Sequence, residues 1–463
     1  VLISIFNDKK EDMKFIYAMC WAALLCCCFA CKKFLDEKPN KSFSIPATLK
    51  DCQALLDDWN RLNAVDPVAG EISADDYFLT ENSYAALTSD TYRRMYLWQK
   101  DNIFPPSPND WSTLYRCIYQ ANTVLETVEK IKRTAANDPE WTSIRGQALV
   151  FRARAFLVAA WQWAPAWDAA TAGTDLGIPL RLSSDFNQVS VRATVQQTYT
   201  EILSAFGEAV TLLPATARHP LRPSKPAAYA LLARTYLSMR QYEKAGLYAD
   251  SCLQLRSTLL DYNTLDPGVQ NPFPQFNTEV IFDTRNGTLG PLTFIYAKID
   301  TTLYDSYAAN DLRKTLFFRR NADNTLYFRG SYEGDFSLFS GPTTAEMYLV
   351  RAEANARQGS TAAALSDLNT VLMKRWKTGT FTPLTAATPG ETLQLVLAER
   401  RKELVMRLLR FIDIKRLNRE GFGITQTRVL NNQVYTLPPN DPHYALPIPE
   451  EVITLGGIQQ NPK

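Results

Sequence analysis

A mostly α fold is what this sequence predicts: helix pairs, a long irregular insertion and minor β structure. Three observations carry it. Apolar residues recur at helical spacing in several stretches. Two of those stretches share one helix-pair pattern. Glycine is sparse, 19 against 26 prolines in 463 residues, which favours helices separated by proline-bearing loops. Charged residues make up 21%, the hydrophobic set 46%, and the formal net charge is +2. That composition excludes a disordered chain, a collagen or a coiled coil, and it lacks the basic footprint of a nucleic-acid binder.

The N-terminus reads as a processed leader. Phe15 to Ala30 carries no charge and follows Lys14. It is shorter than the roughly 20 residues a membrane-spanning helix needs, so it resembles a signal peptide. Met13 is the natural start, which makes Val1 to Asp12 an upstream extension. The run ends Cys28-Phe29-Ala30-Cys31 and turns polar at once. A small residue, a cysteine and then a polar stretch resemble a bacterial lipoprotein site, with Cys31 as the lipidated residue. Residues 1–30 are therefore expected to be extension and leader, and 31–463 a single domain. Beyond Cys31 only Cys52, Cys117 and Cys252 remain, too few and too far apart for a disulfide framework or a zinc knuckle.

Residues 31–46 are expected to form a polar tether, and Thr48 to Asn60 a helix. Residues 66–108 read as irregular. Asn109 or Asp110 caps a helix running to about Lys132. Trp141 to Trp163 follows, with Ile144, Ala148, Phe151, Ala155 and Val158 on one face. Val195 to Leu213 is next, ended by Pro214. Pro226 to Leu255 matches the tetratricopeptide pattern, with Tyr229, Leu232, Ala233 and Tyr236 in the first helix and Ala245, Ala249 and Cys252 in the second. The pattern returns in Ala345 to Leu372 through Tyr348, Ala352, Gly359, Ala364, Leu368 and Val371. Helical scaffold is thus expected over about 109–256 and 343–419. Residues 257–342 form the insertion, and 420–463 a loop-rich end. A last long helix, or helix pair, covers Glu391 to Leu417, with Leu404, Leu408, Phe411 and Ile414 on one face.

Visible chemistry is sparse. No phosphate loop, HExxH, EF-hand or G-x-S-x-G motif occurs, and no cofactor or metal is expected. The two histidines, His219 and His443, sit in proline-flanked loops and read as packing or solvated residues. Glu399, Arg400, Glu403, Arg410 and Asp413 read as structural ion pairs. A sugar site needs flat apolar faces edged by polar groups. Trp111, Trp141 and Trp161 sit in helical patterns and read as core. Trp98, with Asp101 and Asn102 beside it, lies in a loop-like stretch and is the leading ligand contact.

Several stretches together resemble the SusD/RagB family of surface lipoproteins from Bacteroidetes. They are Cys31 to Pro39, Asp75-Asp76-Tyr77, Trp111 to Tyr115 with Asn122, Asn277 to Ile281, Pro342 to Glu353, and Glu399 to Leu404 with Arg410 and Asp413. Leu446 to Pro449 with Val452 and Gln460-Asn461-Pro462 complete the set. Where that family usually has Glu-Gly, this chain has Arg407-Leu408. The resemblance implies four tetratricopeptide-like helix pairs supporting an irregular ligand-binding half. It implies a non-enzymatic, lipid-anchored protein at the outer-membrane surface, capturing oligosaccharides for a SusC-like TonB-dependent transporter. Ligand contacts would come from the Trp98 region and from Arg285, Tyr296 and Tyr304 in the insertion. The alternatives are a peptide-capturing RagB-like lipoprotein, or a periplasmic tetratricopeptide scaffold. The scaffold reading predicts tandem repeats of about 34 residues, whereas the two clear units lie far apart.

Overall fold

Capping residues set where the helices begin. In this computed structural model, which describes residues 46–462, Thr48 opens the first helix (α1, Leu49–Leu56). Its hydroxyl accepts the Asp51 N–H at 3.1 Å, and the Asp51 carboxylate accepts the Thr48 N–H at 3.0 Å. The leader, Cys31 and most of the tether lie outside the described residues. Residues Thr48–Lys463 form one compact unit. The helix expected up to Asn60 breaks after Leu56, and a separate turn covers Trp59–Leu62.

Asn109 caps α2 (Asp110–Lys130) as expected: its side chain accepts the Ser112 N–H at 3.0 Å, and Ser112 Oγ accepts the Asn109 N–H. There follow α3 (Asp138–Trp163), α4 (Val195–Leu212), α5 (Lys225–Ser238) and α6 (Tyr242–Leu255). After the insertion come α7 (Thr344–Arg357), α8 (Thr361–Met373), α9 (Pro389–Glu403) and α10 (Arg410–Asn418). From α2 to α8 each helix packs on the one before it, and α9 lies on α7. The two units that carry the sequence pattern are therefore neighbours in space, α6 against α7. A Cβ added to Gly246 of α6 would sit 2.6 Å from the Ala354 Cβ of α7, so only glycine allows this approach.

The last helical stretch is a pair, not one helix. It stops at Glu403, Met406 and Leu408 take positive φ (57° and 60°), and helix resumes at Arg410. Leu404 and Leu408 are buried in this turn rather than lining a continuous helical face. Left-handed backbone costs a non-glycine residue about 1–2 kcal/mol. The turn is held by buried ion pairs on both sides. Arg375 donates to Glu403 at 2.8 Å and to Glu279 at 2.7 Å. Asp413 accepts from Arg400 at 2.8 Å and from Arg416 at 2.7 Å. Burial alone would raise Asp413, but these two guanidiniums hold it down at about 2.

The segments read as irregular carry more structure than expected. Residues 66–108 include short helices at Ala69–Ile72, Glu81–Ala85 and Asp90–Tyr96. Two-stranded pairings join this region to the insertion: Ala64–Asp66 runs beside Arg285–Asn286, and Tyr77–Phe78 beside Lys298–Ile299. The C-terminal loop region contains a hairpin, Gln426–Leu430 against Gln433–Leu437. Its turn residues Asn431 and Asn432 both have positive φ, the asparagine turn that matches strand twist.

Candidate ligand-binding groove

Trp111, Tyr115 and Tyr119 recur every four residues along α2 and so share one helical face. Trp111 and Tyr115 stack with centroids 4.7 Å apart and planes at 23°. The indole of Trp163 meets Trp111 edge-on at 4.9 Å, bracing the stack from beneath. The Tyr115 hydroxyl donates to the Pro179 carbonyl at 2.9 Å, which fixes its ring. Tyr119 is left 51% exposed.

This aromatic stripe floors a groove of about 440 Å³. One wall is the loop around Phe186, a residue 81% exposed; the other is the C-terminal segment with Val452, Leu455 and Ile458. Side-chain hydrogen bonds position both walls. Asn122 donates to the carbonyls of Arg181 (2.8 Å) and Ser183 (3.2 Å), and Arg152 donates to Asn122 Oδ1 at 3.1 Å. Glu126 accepts from Ser183 Oγ at 3.0 Å and from the Ser184 N–H at 2.7 Å. Part-burial raises its carboxyl, but the serine hydrogen bonds outweigh that and hold it low. On the other wall Asn461 donates to Trp163 O and Leu446 O, Glu451 accepts the Ser107 N–H at 2.8 Å, and Glu450 accepts the Asn102 N–H at 2.5 Å. Trp111 is itself buried and supports the stripe from below, so the groove offers the exposed rings of Tyr119 and Phe186, edged by Ser107, Ser112, Arg181, Ser190 and Glu451. Rings take the C–H faces of pyranoses, and the rim can hydrogen-bond hydroxyls.

The residues singled out from the sequence are dispersed. Trp98 does not offer a free face: it is only 8% exposed. Its Nε1–H donates to Ser73 O at 3.0 Å, and the Arg428 guanidinium lies 4.3 Å from its ring. The loop signals around it misled because the chain turns there with Trp98 itself at φ 53°, driving the indole inward. Asp101 and Asn102 are exposed, and the Asn102 backbone abuts the C-terminal wall. Arg285 lies against Trp59 (4.4 Å) beside Asp335 (3.3 Å) and Glu333 (3.7 Å). Tyr296 Oη lies 3.5 Å from Ala86 O, so the early segment and the insertion do meet. Tyr304 packs on Phe318 and takes the Lys314 ammonium 4.6 Å from its ring. None of these six lines the groove. Sequence reasoning overlooked Tyr115, Tyr119 and Phe186; the four-residue aromatic spacing in α2 was the available signal.

The groove joins two separate portions of the chain, and family comparisons match those same two portions. A family model described as starch-binding associating with outer membrane matches residues 33–237. A second, the SusD family model, matches residues 344–463. The chain belongs to the SusD/RagB family. In this SusD/RagB protein the stripe Trp111–Tyr119 comes from the first matched portion and Val452–Ile458 from the second. Solved structures share the fold. A SusD superfamily protein from Bacteroides thetaiotaomicron is 23% identical with a TM-score of 0.72, covering 90% of this chain and 100% of its own. A SusD superfamily protein from Bacteroides vulgatus is 21% identical at TM-score 0.71, covering 90% and 99%. A SusD-like carbohydrate binding protein from Bacteroides vulgatus is 20% identical at TM-score 0.67, covering 89% and 97%. A search of curated proteins finds no match. No helix among the described residues is long and apolar enough to cross a membrane, and none of their His, Cys, Asp and Glu side chains group as a metal site.

Proposed function

We propose that this protein captures an oligosaccharide nutrient at the cell surface, without turning it over, and delivers it to a SusC-like TonB-dependent transporter. In this reading lipid on Cys31 holds it to the outer membrane. The observation that carries the ligand assignment is the braced stack of Trp111 and Tyr115 continuing into exposed Tyr119, opposite exposed Phe186. One feature favours peptide capture as a second reading: the far wall is aliphatic, with Val452, Leu455 and Ile458. An apolar peptide side chain would suit that wall. Calorimetric titration of a glycan panel and a peptide panel separates the two. Tyr119→Ala and Phe186→Ala are expected to weaken the ligand that binds by about 1–2 kcal/mol each, roughly 5- to 30-fold, with melting unchanged because both side chains are solvent-exposed. Full affinity in both variants would place the ligand elsewhere. Turnover of any panel member would overturn the non-enzymatic reading.

A further inference from the structure

A second, much smaller cavity lies where the helical scaffold meets the insertion. It holds about 20 Å³, room for one or at most two water-sized bodies. Arg154 of α3, Arg234 of α5 and Arg407 of the α9–α10 turn all line it, along with Thr284 and Ser340. Asp66 is the one carboxylate among the lining residues.

Two of the arginines are already neutralised. Arg154 pairs with Asp66 and donates to Leu62 O at 2.6 Å. Arg234 makes a two-pronged contact with Glu346 at 2.7 and 2.6 Å, and donates to Ser340 O and Gly341 O. Arg407 is different. It is buried, its guanidinium carbon lies 3.7 Å from the Tyr332 ring and 4.8 Å from Phe339, and it makes no ion pair or side-chain hydrogen bond among the described residues. Burial without a carboxylate is not itself unusual here. Arg428 and Arg329 are both buried without one, but they donate to backbone carbonyls, Ile72 and Ala74 for the first and Pro267, Val269 and Thr315 for the second. The five N–H groups of Arg407 have no such acceptors.

We propose that this cavity binds a monovalent anion of halide size, held chiefly by Arg407. Water could accept hydrogen bonds there but brings no counter-charge, and Glu403, the carboxylate whose field Arg407 shares, already pairs with Arg313 and Arg375. An anion supplies both acceptor and counter-charge. So small a cavity suits a halide better than a larger oxyanion. The rings of Tyr332 and Phe339 cover another side of the guanidinium with their negative π faces. Bound there, the anion would bridge α3, α5, the insertion and the strained α9–α10 turn.

The test is bromide. Crystals of the full chain in sodium bromide should show an anomalous peak in the cavity, absent from Arg407→Gln. Melting curves at fixed ionic strength should rise with bromide or chloride against gluconate and then saturate, whereas Arg407→Gln should not respond. Cavity density without anomalous signal at saturating bromide would mean water alone and overturn the proposal. So would an anomalous peak with no halide dependence of melting, which marks an adventitious ion only. If Arg407→Gln fails to fold, the bromide map and melting series of the unmodified chain decide the matter.

Discussion

Replacing Trp98 by alanine should destabilise the protein and leave ligand affinity intact. The indole is buried, and removing a buried tryptophan costs about 3–5 kcal/mol. Two further contacts go with it. The bond from Nε1–H to Ser73 O is lost, leaving a buried carbonyl without its partner. The Arg428 guanidinium loses a ring at 4.3 Å, though it keeps Tyr96 at 3.8 Å and its bonds to Ile72 O and Ala74 O. The left-handed backbone at 98 becomes somewhat easier to relax without the bulky side chain, a small offset. The sum stays near 4 kcal/mol. Unfolding entropy scales to roughly 0.9 kcal/mol/K for a chain the length of Thr48–Lys463, so Tm should fall by about 4–5 °C. Trp98→Phe should recover most of this, because it keeps a ring under Arg428 and loses the donor to Ser73. Differential scanning calorimetry and titration on the same samples measure both quantities. An unchanged Tm with weakened binding would refute the packing argument and restore Trp98 as a ligand platform.

Two other substitutions probe buried charge. Asp283 and Glu333 are buried, with Arg285 and the more exposed Asp335 as the charged groups facing them; burial, with repulsion from Asp335, pushes Asp283 up to about 7, and burial, with repulsion from Asp283 and Asp335, pushes Glu333 up to about 8. The folded protein therefore keeps protons that the unfolded chain releases, and stability should fall as pH rises from about 4 to 8; Glu333→Gln should flatten that slope in denaturant titrations. An unchanged slope would show that the pair ionises in place. Glu403→Ala removes the shared acceptor of Arg313 (3.2 Å) and Arg375 (2.8 Å) and should cost about 3–5 kcal/mol by chemical denaturation, with a loss below 1 kcal/mol counting against it.

The helical half was legible because its rules are local. The Asn109 cap, the small residues Ala245 and Ala249, and the period of α3 each act within a few residues, and each is where the pattern places it. The ion-pair reading of Glu399, Arg400, Glu403, Arg410 and Asp413 held as well, since all five are paired, with Arg410 on Asp75 at 2.6 Å. What failed depended on distant partners. Leu404 and Leu408 fit a helical face, yet the chain breaks between them because Glu403 and Asp413 are pulled toward different arginines. Trp98 looks like a loop residue until Ser73 and Arg428 arrive from 25 positions before it and several hundred after it. The groove was hidden for the same reason. One wall comes from α2 and the other from the last residues of the chain, and only the spacing of Trp111, Tyr115 and Tyr119 betrayed the first.

The contact of α6 with α7 leaves everything between Leu255 and Thr344 as an excursion from a finished stack. Its two ends are pinned by the Gly246–Ala354 approach, whatever lies between. Closing a loop costs only logarithmically more as it grows, about 0.6 kcal/mol for each doubling. That is less than the roughly 0.8 kcal/mol of one buried methylene. Evolution can therefore lengthen, shorten or exchange the excursion at little thermodynamic expense, provided that Glu279 still reaches Arg375 and Arg313 still reaches Glu399 and Glu403. The scaffold behaves as a socket and the excursion as a replaceable cassette, free to vary without disturbing the groove that α2, the Phe186 loop and the C-terminal segment form elsewhere.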